Sequence, residues 1–129
     1  MVVARALRTA GMALLTLSCS VAALVSGSIT RSERAPSRVM AWWGRALIRT
    51  AGCRVRVEGA EALPEAGAVL VSNHQSYLDI PLLLSALGGK VKFVAKRELG
   101  AIPLFGPAMV RAGNLLVDRD DPREAIIAV

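Results

Sequence analysis

From Thr9 to Thr30 the chain carries no Asp, Glu, Lys, Arg or His. That uncharged run is long enough to supply the ~20 residues an α-helix needs to cross a bilayer, so it makes the first part of the chain a candidate transmembrane helix. Gly11, Gly27 and several serines and threonines dilute its hydrophobicity. The same run therefore also fits a signal segment, and residues 1–31 are read as a transmembrane or signal-anchor segment. Arg5 and Arg8 precede the run, and Arg31, Arg34, Arg38, Arg45 and Arg49 follow it closely. Arginines gathered just after an apolar span hold the following domain on the cytoplasmic side of the cell membrane.

What remains of the 129 residues has room for one small domain. Hydrophobic residues make up 53% of the chain but aromatics only 4%, so its apolar character comes from Ala, Leu and Val, which suits membrane contact. The net charge of +6 favours anionic partners, either phospholipid headgroups or nucleic acid. The chain has no zinc-finger spacing, no aromatic RNA-binding strand signature and no dense Lys/Arg helix face, so nucleic acid is not expected. Cys19 and Cys53 form neither a disulfide framework nor a metal-ligand spacing, and with one histidine in the chain no metal site is expected.

Residues 32–37 read as a polar linker. From Ser37 the apolar positions Val39, Met40, Trp42, Trp43, Ala46, Leu47 and Ile48 recur at near-helical spacing, closed by Gly52. Residues 32–52 thus form a linker and an amphipathic helix. That helix lies either at the bilayer interface, which indole rings favour, or against the core of the domain. Beyond it the period changes to two: Val55 and Val57 alternate with Arg54, Arg56 and Glu58, predicting a half-buried strand over 53–59. A second strand is expected over 68–71, a helix over 82–87, a strand over 90–95, a partly helical 103–112 ended by Gly113, and a strand over 114–117. A last helix starts at Pro122 behind Asp120 or Asp121 and is still running at Val129. Alternating strands and helices give an α/β class for 53–129, and the unfinished last element makes the domain incomplete at its carboxyl end.

The most informative stretch is Val69 to Asp79, where an apolar run leads into a polar segment containing His74. On an ideal helix His74 and Asp79 would lie on different faces, so they meet only if the backbone turns between them. Given contact, Asp79 fixes the imidazole tautomer and the other ring nitrogen can take a proton from an alcohol. No G-x-S-x-G elbow is present, so the alcohol is the substrate's own and transfer is direct. In the competing reading Ser76 caps a helix, Asp79 reaches back in a capping box, and His74 is a loop residue; spacing does not separate the two. Asn73 and Ser76 are expected to hold the turn through side-chain to backbone bonds.

Asn73-His74-Gln75-Ser76-Tyr77-Leu78-Asp79 closely resembles the N-H-x-S-x-x-D block of the glycerolipid acyltransferases of the lysophosphatidic acid acyltransferase type. Lys96-Arg97-Glu98-Leu99, continued by Pro103, Gly106, Gly113 and Asp118-Arg119, resembles the second block of that family in composition and order. The likeness covers residues 37–119. It implies a mixed sheet flanked by helices, with His74 as general base on a lysophospholipid hydroxyl and Asp79 orienting it. The acyl donor would be a thioester on coenzyme A or acyl carrier protein, with no metal and no further cofactor. Arg119, and after it Lys96, are assigned to the substrate phosphate, since guanidinium grips phosphate in a bidentate fork; Gly106 and Gly113 are assigned a shaping role. The competing reading pairs Arg119 with a neighbouring aspartate and Lys96 with Glu98.

The expected reaction is acylation of lysophosphatidic acid to phosphatidic acid in phospholipid biosynthesis. Acylation of another lysophospholipid, an ornithine lipid or glycerol 3-phosphate, or a non-catalytic lipid-binding role at the membrane, are the alternatives. The family's P-E-G-T-R-S-like third block and its proline-centred fourth block are missing. The chain is therefore expected to be a carboxyl-truncated fragment, weakly active or inactive by itself.

Overall fold

A computed structural model describes residues 2–64 and 67–118. The uncharged run forms part of one helix, α1 (Val2–Thr30). Hydroxyls along it bond carbonyls one turn back and do not interrupt it: Thr16 to Met12, Ser18 to Leu14 and Ser20 to Thr16, all at 2.8 Å. Cys19, Ser20, Ala23 and Gly27 are buried along one face, while Leu14, Leu17, Val21, Val25 and Ile29 are exposed on the rest. The helix is long and apolar enough to cross a membrane by length and composition; it is also one wall of the domain's core.

The expected linker over 32–37 contracts to the turn between Thr30 and Arg34. The second helix, α2 (Arg34–Thr50), starts earlier than the apolar spacing suggested, because Pro36 falls in its first turn, where no backbone N–H is needed. Between the two positions open for this helix, the fold takes the core-facing one. Met40, Trp43, Leu47 and Ile48 are buried, and Trp42 points outward. Trp43 donates its indole N–H to Thr16 Oγ1 at 3.0 Å and stacks obliquely on Phe105, with centroids 5.9 Å apart. α2 is thus tied both to the apolar helix and to the domain that follows. Gly52 closes α2 as expected.

Two short parallel strands, β1 (Val94–Lys96) and β2 (Leu115–Val117), pair in the register Val94 with Leu115, Ala95 with Leu116 and Lys96 with Val117. Parallel pairing demands a crossover. Here it is a 3₁₀ segment, Arg97–Ala101, followed by a short helix, α4 (Phe105–Arg111), in which Pro107 sits in the first turn and does not break it. The remaining helix, α3 (Asp79–Leu87), precedes β1 and begins earlier than the expected 82–87. Leu84, Met109, Trp43, Leu47, Met40, Ala95, Ala112 and Cys19 form the core between helices and sheet. The result is a helix-rich α/β arrangement with a small parallel sheet.

Three strand expectations need correction. Residues 53–59 and 68–71 form no regular element and belong to no sheet among the described residues, Gly59 turns with φ +75°, and Val57, Val69 and Val71 are exposed, the last at 92%. Period-two patterning marks a segment able to be a strand; it becomes one only where its N–H and C=O groups find a neighbour. The strand expected over 90–95 is displaced to Val94–Lys96. Gly88–Lys90 makes a 3₁₀ turn, and Lys92 leaves the sheet pattern to reach Ser37 Oγ at 2.6 Å and the Ala112 carbonyl. The helix expected from Pro122 lies outside the described residues, as does Arg119.

Candidate active site

The bend required between His74 and Asp79 is present, and Asp79 makes it. As the first residue of α3, its side chain folds back over the preceding turn. One carboxylate oxygen, Oδ2, accepts the backbone N–H of Gln75 at 2.7 Å, that of Ser76 at 2.8 Å, and His74 Nδ1 at 2.9 Å. Ser76 completes the turn: its carbonyl accepts Asp79 N–H at 3.1 Å and its Oγ accepts Leu78 N–H at 3.2 Å. The contacts of both readings are therefore present at once, since Asp79 holds the turn and also the imidazole.

These bonds have an electrostatic consequence. The N–H of Ser76, then that of Gln75, then His74 hold the Asp79 carboxyl below the ordinary aspartate range, so it is ionised at neutral pH. An ionised Asp79 fixes the ring proton on Nδ1. Nε2 makes no hydrogen bond among the described residues. The site is open: the His74 side chain is 56% exposed and that of Asp79 29%.

The remaining sequence-predicted residues divide. Ser76 holds the turn as expected, whereas Asn73 is exposed and makes no side-chain hydrogen bond among the described residues, leaving the bend to Asp79 and Ser76. Lys96 ends β1 and pairs with Glu98 Oε1 at 2.6 Å, the partner its competing reading named; beside it Arg97 faces Asp118 at 3.9 Å. Gly106 lets α4 approach the Arg97–Ala101 segment, since a Cβ there would strike the Gly100 carbonyl, with its carbon 2.5 Å away. Gly113 has φ +83° and ends α4, with its own N–H on Val110 O at 2.9 Å and that of Asn114 on Met109 O at 3.1 Å. Both glycines are structural. No group of His, Cys, Asp and Glu among the described residues could hold a metal ion.

A cleft of about 730 Å³ between the end of α1 and α4 is not lined by His74 or Asp79. Two connections there and nearby escaped sequence reasoning. Arg111 donates Nη2–H to the Gly27 carbonyl at 2.8 Å, and Lys92 joins α2 to the end of α4 through Ser37 and Ala112. Lys92 stood as a polar member of an alternating strand pattern, and nothing in its spacing marked it as a clamp.

Comparison with known families matches residues 54–129 to the acyltransferase family. The chain belongs to that family. The match begins in the irregular segment ahead of the His74–Asp79 bend and takes in both motif blocks. Among curated relatives, a chloroplastic 1-acyl-sn-glycerol-3-phosphate acyltransferase of Arabidopsis thaliana is 45% identical over 75 residues, covering 57% of this chain and 21% of the relative. The human 1-acyl-sn-glycerol-3-phosphate acyltransferase alpha is 41% identical over 76 residues, 58% of this chain and 27% of its own length. The enzyme of that name from Helicobacter pylori is 36% identical over 69 residues, 54% and 29% respectively. This acyltransferase chain thus spans between a fifth and a third of the length of those relatives. No solved structure gives a significant match.

Proposed function

We propose that the protein transfers an acyl group from a thioester on coenzyme A or acyl carrier protein to the free hydroxyl of lysophosphatidic acid, forming phosphatidic acid for phospholipid synthesis. The observation that carries this reading is the 2.9 Å contact between His74 Nδ1 and Asp79 Oδ2, with Nε2 uncommitted, in a member of the acyltransferase family. Nε2 takes the proton of the lysolipid hydroxyl as its oxygen attacks the thioester carbonyl, while ionised Asp79 stabilises the imidazolium that forms. Collapse of the tetrahedral intermediate breaks the carbon–sulfur bond, and the imidazolium returns its proton to the leaving thiolate. Lys96 and Arg119 are assigned to the acceptor's phosphate. α1 is assigned to the membrane, with the domain on its cytoplasmic face; its exposed side of Leu14, Leu17, Val21 and Val25 supports lipid contact.

The test is phosphatidic acid formation in membranes of cells producing the full-length protein or its His74→Ala variant. A loss of at least ~100-fold at equal protein level is expected, and acylation at the parental rate by His74→Ala would overturn the assignment. Lysophosphatidylcholine, an ornithine lysolipid and glycerol 3-phosphate as competing acceptors decide the substrate: faster acylation of any of them replaces lysophosphatidic acid in this reading.

A further inference from the structure

The 730 Å³ cleft between α1 and α4 has the composition of an amphipathic binding site. Its polar rim carries Arg31 and Arg111, and its apolar wall includes Leu24 and Val110. Arg111 spends one N–H on the Gly27 carbonyl, and its other guanidinium hydrogens make no bond among the described residues. That seat exists because residue 27 is glycine: a Cβ there would lie 2.6 Å from Arg111 Cγ and 2.9 Å from Pro36 Cγ. Arg31 has no ion-pair partner among the described residues. The one acid on the rim, Glu33, faces Lys92 Nζ at 3.8 Å, so its charge is offset and the rim stays cationic. At the negative end of the α1 dipole, the Gly27 carbonyl accepts both Arg31 N–H and Arg111 Nη2–H.

Position supplies the rest. Arg31 is the first charge after the uncharged run, so if α1 enters a bilayer the rim lies at the headgroup level, with Leu24 two turns deeper on the lipid side. Resting on that membrane reading of α1, we infer that the cleft binds the phosphate headgroup of an anionic membrane phospholipid, with Arg31 and Arg111 on the phosphate and an acyl chain along Leu24 and Val110. His74 and Asp79 do not line this cleft, so the lipid held there is not the acyl acceptor in reacting position.

Flotation of the protein with phosphatidylcholine vesicles tests the membrane reading first: failure to float with or without phosphatidylglycerol sinks both it and the inference. Lipid retention then tests the cleft, by native mass spectrometry of detergent-solubilised protein given equimolar phosphatidylglycerol and phosphatidylcholine. Preferential retention of phosphatidylglycerol is expected, falling roughly fivefold in Arg31→Gln, as for loss of one basic contact at a lipid surface. Arg31→Lys should keep most of the preference. Arg49→Gln, which removes a charge outside the cleft, should keep all of it. Equal losses in Arg31→Gln and Arg49→Gln would reduce the effect to general surface charge and overturn the site. Displacement of the lipid by millimolar inorganic phosphate would overturn the lipid as its occupant.

Discussion

Replacing Gly106 by Ala, set beside the same change at Gly11, separates packing from helix propensity. Both glycines lie inside helices, where alanine is favoured by ~0.5–1 kcal/mol, so propensity alone makes both substitutions stabilising. Their surroundings are opposite. A Cβ at Gly11 meets nothing within 4 Å. At Gly106 it would overlap the Gly100 carbonyl, with the carbonyl carbon 2.5 Å and Cα 2.7 Å away. The obstacle is backbone of the Arg97–Ala101 segment, which a rotamer change does not relieve, so the overpacking cost falls at the upper end of ~1–3 kcal/mol. After subtracting the propensity gain, Gly106→Ala should be less stable than the parent by ~2 kcal/mol, and Gly11→Ala more stable by ~0.5 kcal/mol. At ~4 °C per kcal/mol for a domain of this size, the two variants should melt about 10 °C apart. Thermal unfolding in detergent, followed by tryptophan fluorescence, reads this directly because Trp43 is buried in the core. Variants melting within a degree of each other would refute the account of why α4 sits where it does.

Trp43→Phe keeps the ring contact with Phe105 but removes the donor to Thr16 Oγ1, and should cost ~1 kcal/mol in the same melting assay. Because bonds from Ser76, Gln75 and His74 depress the Asp79 carboxyl, its contribution to stability is fully present above the ordinary aspartate range and is lost as pH falls through the depressed value. Stability curves of the parent and Asp79→Asn should therefore stay a constant distance apart from neutral pH down to that range and converge only in stronger acid. Val21→Lys places a charge on the outer face of α1 and should release protein from washed membranes, with the melting temperature in detergent unchanged. Deleting residues 2–30 should instead cause aggregation rather than clean release, checked by size-exclusion chromatography, because Cys19 and Ala23 belong to the buried interior.

The features readable from the sequence were those written in neighbouring residues. The uncharged run forms a helix as its length implied, and Gly52 and Gly113 close helices through their own backbone angles. The His74 bend is local as well, since all three donors to Asp79 lie within five residues of it. What the pattern did not reveal depends on distant partners. Val55 and Val57 alternate as a strand should, but a ladder needs a second chain segment, and the described residues provide none. Lys92 looks like a surface residue until Ser37 and the end of α4 are brought beside it. Trp42 and Trp43 are adjacent and chemically identical, and only the packing of α2 against α1 decided which one is inside. The assignments to Lys96 and Arg119 came from motif likeness; Lys96 stands in an ion pair with Glu98, and Arg119 lies outside the described residues.

Because one oxygen of Asp79 serves the bend and the ring together, the loop's shape and the histidine's readiness cannot be varied separately at that position. Any replacement there unhooks the imidazole and loosens its platform in the same stroke, so a kinetic defect at residue 79 would mix two causes in unknown proportion. Position 74 allows the cleaner experiment, since trimming the ring leaves both amide contacts to the carboxylate in place.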